Sequence, residues 1–261
     1  MAAGEGLRDR RIVFPRSYNA AVDLIERNLA AGRADKVAIR DDHGAYSYRA
    51  LARLVDRAAN ALRKLGLEPE QRIFLCLHDS IDFPTVFLGA IKAGIVPIPV
   101  NTLLTSADYE FMLGDSRARA LIVSKPLAER FTPFLQKLPA LRHVIISGGE
   151  PGKGELSLAA LLDEAREEAA PQPTVADDIC FWLYSSGSTG TPKGAVHLHS
   201  HLLSTAELYA RPVLGITEED VVFSAAKLFF AYGLGNSLSF PMSVGATTVL
   251  RAGRVTPDLV F

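Results

Sequence analysis

The chain has 261 residues, 48% of them hydrophobic and 22% charged, the composition of a globular protein with enough apolar surface to bury a core. Its 28 basic and 29 acidic residues leave a net charge of -1, which excludes any general electrostatic attraction to nucleic acid or an anionic membrane surface. A bound phosphate has to be held by local groups instead.

The opening stretch, MAAGEGLRDRR, carries charge and glycine but no apolar signal-peptide core. No run reaches the roughly 18 apolar residues of a membrane helix, so a cytoplasmic location is expected. Helical spacing of apolar residues runs from Ser17 to about Arg33. A second helix places Leu51, Leu54, Val55, Ala58, Leu62 and Leu65 on one face, with Gly66 positioned to end it. Short β-rich runs alternate with the helices: KVAIR, RIFLCL, GIVPIPV, RALIVS, RHVIIS, DICFWLYSS, DVVFSA and ATTVL. That order predicts an α/β fold with sheets flanked by helices. Cys76 and Cys180 lie far apart in apolar runs without metal or redox spacing, and are expected to be buried structural thiols.

Between Ile146 and Val175, glycine, proline and charge gather around one small element. This predicts a boundary between a first α/β subdomain, residues 1–175, and the start of a second, residues 176–261. At the far end Thr256, Pro257 and Asp258 have the pattern of a helix start, as N-cap, first helical residue and first-turn acid. A helix of about five residues is not stable alone, so a chain cut at the beginning of an element is expected, with a frayed tail as the alternative.

Residues 181–199 read FWLYSSGSTGTPKGAVHLH, an apolar strand followed by a polar, glycine-rich loop. Glycines 187, 190 and 194 let backbone N–H groups approach a ligand, while serine and threonine hydroxyls and the Lys193 ammonium add donors. That inventory suits a polyphosphate, and composition alone leaves a flexible connection equally open. The order is not a Walker A loop, since Pro192 and Gly194 occupy positions that would require Gly and Ser or Thr. GLGNSL at 233–238 shares only two glycines with a dinucleotide fingerprint. HLHSH puts His197, His199 and His201 close together, but no nearby Cys or carboxylate supports a metal, so packing and hydrogen bonding are expected, with Ser200 as a helix cap.

YSSGSTGTPKGAVHLH resembles the signature loop of the adenylate-forming superfamily, which includes acyl-CoA synthetases, luciferases and peptide-synthetase adenylation domains. AIKAGIVPIPVNTLLT at 90–105 and KLFFAYGLGNSLSFPMSVGATTVL at 227–250 narrow the resemblance to the benzoate-CoA ligase branch, over essentially the whole chain. The resemblance implies the large N-terminal domain of an adenylate-forming enzyme, incomplete at its C-terminal end. The implied activity is that of an AMP-forming acid-thiol ligase, with ATP, Mg2+ and coenzyme A as substrates. An aromatic carboxylate attacks the α-phosphorus of ATP, and the thiol of coenzyme A then displaces AMP. By the same resemblance Ser185, Ser186, Gly187, Ser188, Thr189, Gly190, Thr191 and Lys193 bind the phosphates. Phe230, Ala231, Tyr232 and Gly233 line the acid pocket, although an apolar run of this kind, taken by itself, reads as core. Lys227, at the edge of the run, reads as a surface residue whose charge snorkels to solvent.

The implied partners are a small carboxylic acid, ATP and coenzyme A, with no nucleic acid and no membrane, and a homodimer is left open. Two alternatives stand beside this reading: an acyl-CoA synthetase for a medium-chain or substituted aryl acid, and a truncated nucleotide-binding or interaction module without catalysis. Family members continue with an adenine- and magnesium-binding motif, a ribose-binding Asp, and a C-terminal domain bearing the catalytic Lys, none of which these residues contain. Since orientation supplies effective molarities of roughly 10⁵ M or more, negligible ligase turnover is expected from these residues alone. Incubation with ATP, benzoate and coenzyme A checks this by the absence of benzoyl-CoA at an enzymic rate.

Overall fold

A computed structural model describes residues 12–186 and 190–260. Helix α1 (Ala20–Ala30) begins later than its apolar spacing suggests, because Asn19 caps it, its side-chain oxygen accepting from Ala21 and Val22 at 3.2 and 3.3 Å. Strands β1 (Val37–Arg40) and β2 (Ala45–Ser47) pair antiparallel. Helix α2 (Tyr48–Lys64) is capped by Ser47 and is followed by Gly66 at φ +76°.

Strand β3 (Arg72–Cys76), helix α3 (Asp82–Lys92), strand β4 (Val96–Pro99), helix α4 (Ser106–Ser116), strand β5 (Ala120–Ser124), strand β6 (His143–Ser147) and strand β7 (Leu156–Ser157) follow in order. Their strands form a parallel sheet ordered β4-β3-β5-β6-β7, with Phe74 opposite both Ile98 and Leu121. The apolar runs here are continuous rather than alternating because both faces are covered. Ile73, Leu75, Ala120 and Ile122 join a core with α1, α2 and α3, while Phe74, Cys76, Leu121 and Val123 face an aromatic cluster with Tyr109, Phe131 and Phe134. Helix α3 is buried along nearly its whole length, and its Lys92 is paired with Asp56 of α2. Cys76 and Cys180 are both buried free thiols, and burial pushes the Cys76 thiol up to about 12.

Helix α5 (Leu158–Asp163) follows β7, and strands β8 (Ile179–Ser186) and β9 (Pro192–Leu198) form a separate antiparallel pair, with β8 packed beside β4. Helix α6 (His199–Thr205) runs into a π-helical segment, 206–214. After strand β10 (Val221–Phe223) come helix α7 (Ala231–Leu234), a second π-helical segment at 235–239, helix α8 (Phe240–Val244), strand β11 (Thr247–Val249) and helix α9 (Pro257–Val260). The last helix starts where the TPD pattern places it. Strands β10 and β11 complete a four-stranded sheet ordered β10-β11-β1-β2, in which Ile39 lies opposite Thr248. Strands from either side of residue 175 therefore share one sheet. Two buried side chains tie the same regions: Tyr48 Oη donates to Ala246 O at 2.7 Å, and Asn28 Nδ2 donates to Met242 O at 2.8 Å. No described helix is long and apolar enough to cross a membrane.

His199 joins the start of α6 to the start of α1. Its Nδ1 accepts from the Ala20 N–H at 3.0 Å, satisfying one of the donors that a helix N-terminus leaves unpaired. The ring is fully buried and must stay neutral to accept, and desolvation pushes its pKa down to about 4. A base whose folded pKa lies below its unfolded value contributes stability that is present above the unfolded value and is lost as pH falls. His199→Asn keeps an acceptor but has no titration. The stability of the wild type relative to this variant is expected to fall by roughly 1.4 kcal/mol per pH unit between about pH 6.5 and 4, measured by urea unfolding across that range.

Candidate functional site

The glycine-rich sequence is the tip of the β8–β9 hairpin. Along β8, Cys180, Phe181 and Leu183 belong to the core that contains α1 to α3, while Trp182 and Tyr184 pack against the aromatic cluster on the other side. The Arg72 guanidinium lies 5.8 Å from the centre of the Trp182 ring. Tyr184 Oη donates to Asp115 Oδ2 of α4 at 2.5 Å, so the hairpin is pinned at a half-buried position just before the exposed Ser185. Beyond that pin the sequence becomes polar, and Ser185 and Gly190 are exposed.

The sequence suggests one loop from Ser185 to Gly194, whereas strand pairing resumes at Pro192. Ser185 lies opposite Lys193 and Ser186 opposite Pro192. A hydroxyl and an ammonium therefore stand on neighbouring strands, with Ser185, Thr191 and Lys193 all exposed. Gly190, at φ +81°, turns the chain back into β9 in a conformation costly for other residues. Gly187, Ser188 and Thr189 lie outside the described residues. The exposed donors carry one positive charge and hydroxyls, which fits the oxygens of a phosphate ester.

The second predicted group lies on the turn into α7. Leu228 and Phe229 are buried, at 0% and 7% exposure, whereas Phe230 and Tyr232 are 48% and 67% exposed. The run is thus part core and part surface, changing character at one residue. Gly233 marks the tightest point: a Cβ there would stand 2.0 Å from Lys227 O. Phe230 N donates to that same carbonyl at 3.0 Å, and Leu234 N donates to Phe230 O at 2.8 Å.

The two predicted groups meet at one cavity of about 230 Å³, bordered by Ser185, Gly190 and Pro192 from the hairpin and by Phe229 and Phe230 from the turn. Asn101 and Asp108, at the entry to α4, close its third side. Ala231 faces a different, smaller cavity of about 110 Å³ with Phe181, His197, His201 and Ser239. Tyr232 points outward and Gly233 is buried backbone. Larger depressions of 320, 400 and 550 Å³ lie elsewhere and contain neither the hairpin nor the turn.

The histidines follow the packing expectation. His197 stacks on Phe181 with ring centres 4.5 Å apart and planes at 3°, while His201 Nδ1 accepts from Leu198 N at 3.3 Å. Among the described residues no group of three His, Cys, Asp or Glu converges to hold a metal. Ser200 lies inside α6 and does not cap it; Leu198 precedes the helix instead. Lys227 departs further from expectation. It does not snorkel to solvent, since its Nζ donates to Arg251 O and Gly253 O at 2.5 and 2.7 Å. Its nearest acid is Asp79, 4.0 Å away and 5% exposed. The signal that could have exposed this partnership is an acid inside the apolar stretch LCLHDSIDF, because a buried carboxylate requires a partner.

Residues 26–261 match the family model described as AMP-binding enzyme. The chain is 61% identical over 251 residues to the benzoate-CoA ligase of Thauera aromatica, covering 96% of this chain and 47% of that protein. A benzoate CoA ligase structure from Burkholderia xenovorans LB400 superposes with a TM-score of 0.85 at 49% identity, covering 94% of this chain and 47% of the other. An anthranilate CoA ligase structure in complex with anthranoyl-AMP superposes with a TM-score of 0.89 at 37% identity, covering 92% and 46%. The chain spans about half the length of the curated relatives it matches. The parallel sheet flanked by helices is the architecture shared with these structures.

Gly233→Ala forces a methyl group onto the Lys227 carbonyl. It is expected to destabilise the protein by about 1–3 kcal/mol, seen as a lowered denaturant midpoint at unchanged slope.

Proposed function

The chain belongs to the AMP-binding enzyme family, and from that premise we propose that it is part of an ATP-dependent, AMP-forming aryl-acid CoA ligase acting on benzoate or a close relative. The observation that carries the proposal is the shared 230 Å³ cavity, where the polar hairpin and the aromatic turn come within reach of one ligand. Benzoate and anthranilate, named for the similar proteins, are both planar aryl acids, and they favour this class over a medium-chain acid.

In the proposed reaction a carboxylate oxygen of the acid bonds to the α-phosphorus of ATP as the bond from that phosphorus to the bridging oxygen breaks. Pyrophosphate leaves with the bonding pair. The coenzyme A thiol, losing its proton to solvent, then bonds through sulfur to the acyl carbon as the acyl carbon–oxygen bond breaks and AMP leaves with the bonding pair. Negative charge grows on the departing pyrophosphate, and donors already oriented toward it lower the barrier without reorganising. The proposal assigns that role to Ser185, Ser186, Gly187, Ser188, Thr189, Gly190, Thr191 and Lys193. Among them, the exposed Lys193 ammonium opposite Ser185 provides the charge.

The proposal assigns Phe230, Ala231, Tyr232 and Gly233 to the acid, with Phe230 alone of the four at the border of the shared cavity and Ala231 on the smaller cavity behind it. The exposed Phe230 face offers a flat apolar surface to an aryl ring at the cavity border, and the narrow backbone at Gly233 keeps that face in place. Mg2+ enters with ATP and offsets phosphate charge when bound. The same proposal keeps residues 1–175 and 176–261 as successive α/β subdomains, joined through the sheet that β1 and β2 share with β10 and β11, and a cytoplasmic setting where ATP and coenzyme A are available.

Lys193→Ala removes one charge-assisted bond to phosphate, worth about 1.5–3 kcal/mol, or roughly ten- to a hundredfold in affinity. Titration calorimetry on the full-length gene product is expected to show ATP binding weakened by that factor and benzoate binding unchanged. Unchanged ATP affinity in the folded variant would remove Lys193 from the phosphate site.

A further inference from the structure

Between β10 and α7 the backbone has no regular secondary structure over residues 224–230, yet this stretch delivers the most exposed aromatic residues of the turn. Something other than a ladder or helix must fix it. Asp79, just beyond β3, accepts from the backbone N–H of Leu228 at 3.2 Å. Lys227 reaches the other way, donating to the carbonyls of Arg251 and Gly253 beyond β11 and standing 4.0 Å from Asp79. Three segments distant in sequence are thereby tied at the two residues, Lys227 and Leu228, that precede Phe229 and Phe230.

We propose that Asp79 and Lys227 are positioning residues for the aryl acid, acting through the turn that carries Phe230 to Gly233. This rests on the aryl-acid reading of that turn. Neither residue borders the 230 Å³ cavity, so the effect passes through backbone: Asp79 fixes Leu228, Lys227 fixes the carbonyl that receives Phe230 N–H, and that carbonyl sits against Gly233. Burial pushes the Asp79 carboxyl up to about 6 even though Lys227 and the Leu228 N–H pull it down. A buried charge is therefore kept at this joint against desolvation, where an apolar pair of similar volume would pack without that cost. The neighbouring His78 is held neutral by burial and by the Lys227 charge, and the Arg251 side chain is engaged with Asp42, so neither replaces Lys227 as the partner of Asp79.

The test compares wild type, Lys227→Met, Lys227→Arg and Asp79→Asn in the full-length gene product, with calorimetric binding of benzoate and ATP measured separately. Lys227→Met is expected to weaken benzoate binding about tenfold or more and to leave ATP within about twofold, while Lys227→Arg restores benzoate to within about threefold of wild type. Asp79→Asn retains an acceptor for Leu228 N–H and loses the charge, and its benzoate affinity is expected to fall by about three- to tenfold. It carries the test if Lys227→Met does not fold. Equal weakening of both ligands, or unchanged benzoate affinity in folded variants, overturns the positioning role. A wild type that binds ATP and no benzoate overturns the aryl-acid reading, and the positioning role with it.

Discussion

A parallel sheet has to be covered on both faces, and most of this fold follows from that requirement. Residues of β3 and β5 alternate between two cores, one built with α1 to α3 and one with the aromatic cluster around Tyr109 and Phe131. Because neither face is left to solvent, the hairpin beside β4 inherits two packing surfaces as well. Phe181 and Leu183 turn to one and Trp182 and Tyr184 to the other. A strand held this way can lead out to the exposed Ser185 without drawing that end of the strand into the core.

The aromatic turn solves the opposite problem. It must leave Phe230 and Tyr232 in solvent while remaining attached to the body, and the burial of Leu228 and Phe229 immediately before them provides an apolar root. The remaining attachment is polar: the Asp79 carboxylate, the Lys227 ammonium and two carbonyls of the chain after β11. Hydrogen bonds and charge supply direction where apolar contact alone would permit the turn to slide. The site thus combines a strand stiffened by packing with a loop fixed by polar ties.

Much of the scaffold was legible in local sequence because its signals are local. Uninterrupted apolar runs marked each of the β3 to β6 strands, and Gly66 and the TPD pattern marked helix ends that the structure retains. Strand β9 was not legible, since proline, lysine and glycine at its start carry no alternation; its partner β8 imposes the extended form. The pairing of β1 with β11 joins residues some two hundred positions apart, a relation that no window of sequence contains. Lys227 illustrates the same limit at a single residue. An amine at the edge of an apolar run looks solvated until the fold brings carbonyls and a buried acid to it. In the site, the order of residues in the loop pointed to phosphate chemistry, while the meeting of hairpin and turn at one cavity is a property of the folded chain alone.

Phe230 and Ala231 are consecutive, yet they border different cavities. A single peptide unit is the wall between a chamber open to the polar hairpin and a chamber lined by imidazoles and a serine hydroxyl. The inner cavity is also lined by Phe181, Leu183 and His197 of the hairpin strands, so the hairpin borders both chambers. Neighbouring positions of one turn can therefore be altered with their first effect in different cavities.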